Sequence, residues 1–150
     1  MPVQRVFTVA EARAILPLVR SIVRDVRDVW RKIITDPAGA DVFFGRRKLA
    51  DCSTDELNRL QNMEQELSVF STELQQLGIE LKSPETGLVD FPSVRNGSMI
   101  YLCWRDGEPD VLYWHSIETG YLGRQLIEEG EVTVYKLTIE SSIDLNHPSE

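Results

Sequence analysis

The residues able to do chemistry gather in the second half of this 150-residue chain. Asp90 stands in LVDFP and Glu108 in the turn DGEP. His115 closes YLCWRDGEPDVLYWH, Glu118 follows it closely, and Arg124 stands in GYLGRQ. A His with two carboxylates is a donor set for a divalent metal. The same His with one acid is a base and its orienting partner. His115 and Glu118 could meet where the strand turns, with Asp90 completing a metal set. Arg124 follows two glycines, which let backbone N–H groups approach an anion. Trp104 and Trp114 would wall such a pocket. Each feature also has a plainer reading. His115 beside Trp and Tyr could be a hydrogen-bonded structural residue, Glu108 a turn acid, and Arg124 the partner of Glu118 or Asp90.

The stretch from Tyr101 to His115 holds two of the three Trp, two of the four Tyr, one of the two Cys and one of the two His. With DGEP as a hairpin loop, His115 falls opposite Ile100, and Glu108 lies too far away to share a metal with it. Cys103 sits mid-strand, so it is expected to be buried and a poor nucleophile. The chain lacks GxSxG, P-loop, Rossmann, HExxH and zinc-finger spacings. The reaction class, and whether there is a reaction, stays open. A divalent metal is the one cofactor the residues suggest.

These side chains must be held by elements, and the periodicity supplies them. Thr8 with Glu11 reads as a capping box opening a helix over 8–34. Ile15, Val19, Ile22, Val26, Val29 and Ile33 follow heptad-like spacing. Pro17 falls inside and is expected to kink it. Ser53 with Glu56 caps a second helix over 53–78, with Leu60, Met63, Leu67, Phe70, Leu74 and Leu77 as its seam and Gly78 as its left-handed cap. Two such helices predict a long antiparallel hairpin. The 35–52 connection is long for a loop. Its Phe43 and Phe44 are expected to tuck under the helices or cover a partner. Arg20, Arg24, Arg27 and Arg31 stripe the first helix, as salt-bridge formers or as an anion site.

From Ile79 the period moves toward two. IELK, LVDFPSVR, SMIYLCWR and VLYWHSI read as strands, with the Asn96-Gly97 turn as a strong hairpin signal. VTVYKLTI, 132–139, reads as a last strand and 141–150 as a polar tail. Tyr101, Cys103 and Arg105 share one face of their strand, and Leu102 and Trp104 the other. Both faces are apolar or aromatic. The face away from the helices therefore needs cover from another layer, a partner chain or a ligand. The expected fold is a single α+β domain, a heptad-like helical hairpin packed with a small antiparallel sheet over 79–140.

Composition narrows the class. No apolar run approaches the roughly 20 residues needed to span a bilayer. The start, MPVQRVFTVAEARA, lacks a signal-peptide core. Two distant cysteines suggest reduced thiols and a cytoplasmic setting. The net charge of −8 disfavours nucleic acid. Residues 1–48 carry ten Lys/Arg against five Asp/Glu, so the acidity lies in the remainder. That contrast suggests two parts that meet, within the fold or across a dimer.

FTVAEARAILPLVR, GLVDFP, YLCWRDGEP, YWH and GYLGRQ, in this order, resemble a family of small bacterial proteins classed as domain of unknown function 2203. The likeness runs from about Phe7 to Ile127. Tyr121 stands where members typically have Phe, and 36–51 and the segment after Gly130 look like additions. The family has no established activity, so the resemblance carries over no catalytic residues. It places Asp90, Trp104, Glu108, Trp114, His115 and Arg124 on the family's motif positions. The leading functional expectation is an oligomeric binding or assembly module. The alternative is a metal- or anion-dependent small-molecule enzyme or binder using the His/carboxylate/Arg pocket.

Overall fold

The computed structural model describes residues 5–128. The expected strand at 132–139 and the tail at 141–150 lie outside them. Helix α1 spans Val9–Thr35, α2 Pro37–Phe43 and α3 Thr54–Gln76. The strands are β1 Glu80–Ser83, β2 Leu88–Arg95, β3 Ser98–Arg105, β4 Tyr113–Ser116 and β5 Gln125–Leu126. They form one antiparallel sheet in sequence order. The fold is α+β.

Both helix starts form as the sequence reads. Thr8 and Glu11 each donate a backbone N–H to the other's side-chain oxygen, at 2.8 and 3.0 Å, and Ser53 and Glu56 do so at 2.8 and 3.2 Å. Each box satisfies two donors that a helix start otherwise leaves bare. Helix α1 runs through Pro17, whose ring lies on the exposed side. Gly78 ends α3 at φ +83°, the region open to glycine.

The two-helix expectation needs correcting, because the connection folds too. Asp36 caps α2 by accepting from the Gly39 N–H, and Pro37 supplies a first-turn residue needing no donor. Arg59 of α3 then grips the Asp36 carboxylate at 2.8 Å. Arg47 pairs with Asp41 at 2.9 Å and Glu56 at 2.7 Å. Phe43 stacks edge-on against Trp30 with ring centres 4.7 Å apart, yet stays half exposed.

One apolar cluster joins the layers. Val19, Val23 and Val26 of α1 and Leu74 of α3 meet Val89, Phe91, Leu102 and Trp104 from one sheet face. Full burial of one such side chain stabilises by about 1.5–3 kcal/mol. Two arginines of the stripe, Arg20 and Arg27, enter the same joint, with Arg13 one heptad before them, while Arg31 pairs with Asp28 within α1. Arg13 donates to the Val111 carbonyl, Arg20 to the Pro109 carbonyl, and Arg27 to Asp106 at 2.6 Å. Heptad-spaced guanidiniums thus lace α1 to the β3–β4 connection. Pro92 fits inside β2 because β1 has already ended there. Its carbonyl takes the Phe7 N–H at 2.7 Å, and the Ser93 hydroxyl donates to the Phe7 carbonyl at 2.6 Å.

Candidate functional site

Register builds the site. The Asn96-Gly97 turn pairs Arg95 with Ser98, and counting back along β2 and β3 puts Asp90 opposite Cys103. Across β3 and β4, Tyr101 pairs with His115, where the sequence reading had Ile100. The connection 106–112 is longer than the DGEP loop assumed. A one-residue slip in register turns every side chain to the other face. The actual register places Asp90, Cys103 and His115 together on the sheet face away from the helices.

All three side chains are buried, with His115 4% and Asp90 2% exposed. The His115 Nε2 lies 3.0 and 3.1 Å from the two Asp90 oxygens, and Nδ1 lies 2.8 Å from the Ser116 carbonyl. A carbonyl only accepts, so Nδ1 carries a hydrogen. One further proton must then lie between Nε2 and the Asp90 carboxylate. The Cys103 thiol faces the same carboxylate as a donor. Burial pushes the Asp90 carboxyl above its ordinary range, against the His115 hydrogen bond and the charge of Lys82. Burial and the Asp90 charge push the Cys103 thiol up to about 12, with Arg124 pulling the other way. A thiol so placed is no free nucleophile at neutral pH.

One side-chain oxygen, sulfur and nitrogen from Asp90, Cys103 and His115 lie within 4.8 Å of one another. Tetrahedral ligands at bond lengths of about 2.0–2.3 Å stand about 3.3–3.6 Å apart. An ion would draw the trio together by up to about 1 Å. The Ser116 carbonyl already holds Nδ1–H and aims Nε2 inward, the outer support that metal-ligating histidines commonly have.

Next to the trio stands a charged clamp. Arg124 Nη1 donates to both Glu108 oxygens at 2.9 and 2.8 Å. Its guanidinium lies 4.0 Å from the Tyr113 ring and 4.3 Å from the Tyr121 ring, within reach of Cys103. Burial disfavours the Arg124 charge, but the Glu108 carboxylate outweighs it and holds the group above its ordinary value. In this way Glu108, expected to be remote from His115, reaches the rim of the site through Arg124.

Three expectations fail on geometry. Glu118 is exposed and is not in the ligand group. The Ser116–Thr119 turn, closed by the Ser116 hydroxyl accepting the Thr119 N–H, carries it outward. Trp104 and Trp114 sit in the core on the opposite sheet face, so they wall no pocket with the trio. Trp104 Nε1 is satisfied by the Glu108 carbonyl at 3.0 Å. The residue missed as a candidate ligand is Cys103. Its parity with Asp90 was legible from the Asn96-Gly97 turn.

The family sequence pattern covers residues 5–127, and with it the whole trio and the clamp. The chain belongs to the uncharacterised conserved protein family DUF2203. Neither the curated proteins nor the solved structures contain a match. The DUF2203 description assigns no activity, so the function of this DUF2203 chain rests on its own geometry. Among the described residues no helix is long and apolar enough to cross a membrane.

Proposed function

We propose that this DUF2203 protein binds a divalent metal through Asp90 Oδ, Cys103 Sγ and His115 Nε2. The observation that carries the reading is the fixed imidazole. Its Nδ1–H is committed to the Ser116 carbonyl, and its Nε2 points at a carboxylate beside a thiol. With both ring nitrogens engaged, His115 has none left to take a proton from a substrate. A metal replaces the protons that Nε2, Cys103 and Asp90 share. Mixed nitrogen, oxygen and sulfur donors favour zinc among common divalent ions. Three protein ligands leave one position of a tetrahedral ion for a small molecule, the arrangement of catalytic more than structural zinc. The reduced thiol this needs fits a cytoplasmic protein.

Cobalt tests this directly, because a thiolate-bound Co(II) ion shows a sulfur-to-metal charge-transfer band. The expected result is one equivalent of cobalt with that band, and its loss in Cys103→Ser. A wild-type protein with no band, retaining no zinc on dialysis against it, would leave the trio a buried hydrogen-bonded structural group.

A second reading, self-association, draws support from α3. Leu60, Met63, Leu67 and Phe70 line its seam but are only half buried, and Val69 is exposed. A second copy would cover that stripe. Sedimentation at micromolar concentration decides it, since a single species of monomer mass ends this reading.

A further inference from the structure

We propose that Arg105, Arg124 and Tyr121 form an oxyanion subsite beside the metal centre, holding a small molecule's carboxylate or phosphate on the metal's open position. The inference rests on the metal reading above. Arg105 stands two residues from Cys103 on the same sheet face, and it is exposed. Its Nη1 lies 3.5 Å from the Tyr121 hydroxyl. The Arg124 Nη2 lies 3.4 Å from that same oxygen. Two guanidiniums thus converge on one neutral phenol oxygen, both at the long limit of a hydrogen bond. A charged oxygen accepts such bonds at shorter distance and about twice the strength.

The charges leave room for an anion. Of the Arg124 nitrogens Glu108 takes only Nη1, and its Oε1 also accepts the Arg105 backbone N–H at 2.8 Å. Arg105 makes no ion pair among the described residues. One positive charge of the arginine pair therefore stays uncompensated. A divalent ion on the Asp90 carboxylate and Cys103 thiolate is locally neutral. An added anion would meet a net positive rim and an open metal position together. Guanidiniums are the usual partners of such oxygens, because their planar fork matches carboxylate and phosphate. The stacked Tyr113 and Tyr121 rings hold Arg124 in place, so little side-chain freedom is lost on binding.

The test uses the full chain loaded with cobalt, titrated separately with inorganic phosphate and with acetate while the cobalt d–d bands are followed. A saturable change with one of them is expected, and which anion acts tells the two sources apart. Arg105→Gln, an exposed change, is expected to raise the half-saturating concentration about tenfold, the equivalent of about 1.4 kcal/mol. Tyr121→Phe keeps the ring beside Arg124 and is expected to alter anion affinity without removing the cobalt band. Cobalt bands that neither anion moves overturn the subsite and leave the metal centre standing. An Arg105→Gln protein that responds like the parent also overturns it, because the anion then needs only the metal. A protein that binds no cobalt ends both readings.

Discussion

At the residue scale the trio is unusual because each member restrains the others. His115 cannot rotate without losing the Ser116 carbonyl, and Asp90 cannot leave without stranding a buried imidazole. Breaking such a buried pair from one side costs far more than the pair contributes as a whole. Cys103→Ser is the gentler probe, since it keeps a small donor facing Asp90. It is expected to weaken zinc binding by about tenfold to a hundredfold, read by chelator competition, while thermal unfolding of the metal-free protein shifts little. Ser93 offers a contrasting case away from the trio. Its buried hydroxyl donates to the Phe7 carbonyl at 2.6 Å. Ser93→Ala leaves that carbonyl short of a partner, so a loss of about 1–3 kcal/mol is expected in urea unfolding, with metal affinity unmoved.

At the element scale, two joints hold the site's frame. Gly87 precedes β2 at φ +70°, and an added Cβ would meet the Asp106 Cβ at 2.7 Å and Val23 of α1 at 2.8 Å. Gly87→Ala combines a left-handed backbone with overpacking. A loss of about 2–4 kcal/mol is expected from the two together, measured as a lower urea midpoint. The second joint is Asp36, where the Arg59 hydrogen bond holds the carboxyl below its ordinary 3.8. A depressed carboxyl stabilises the fold above its unfolded value, and that part is lost as pH falls through the folded one. Asp36→Asn keeps a capping oxygen but removes the charge. The parent is expected to be the more stable at neutral pH, with the gap closing in acid below about pH 4, followed by unfolding midpoints. The same joint shows what sequence reading missed. Asp36-Pro37 is a helix start, but the pattern after it is too short and too apolar at Phe43-Phe44 to be told from a loop.

At the scale of the whole molecule, a sheet with helices on one face leaves the other face to its own polar side chains. That face was expected to need a cover. Part of the cover comes from within the chain, because the Tyr121–Gly123 turn and β5 bring Arg124 over Tyr113 and toward Cys103. A metal bound there stabilises the native state alone. At a hundredfold excess over the dissociation constant it contributes about 2.7 kcal/mol. For a chain of this size the unfolding temperature is then expected to rise by roughly 5–10 °C with zinc and to fall back on chelation, as scanning calorimetry would show.

The sequence by itself determined the ends of α1 and α3, the Asn96-Gly97 hairpin and the pairing of Asp90 with Cys103. These follow from capping chemistry, heptad spacing and a turn whose backbone demands fix register, all of them local. Only the tertiary structure decided that His115 faces those two residues, that Glu118 turns away, and that Trp104 and Trp114 belong to the core. The His115 and Trp114 placements depend on the length of the irregular 106–112 connection, the Glu118 placement on the Ser116–Thr119 turn, and the Trp104 placement on which sheet face the helices cover. Such a connection carries no periodicity, and its one-residue difference exchanges the faces of the strand that follows.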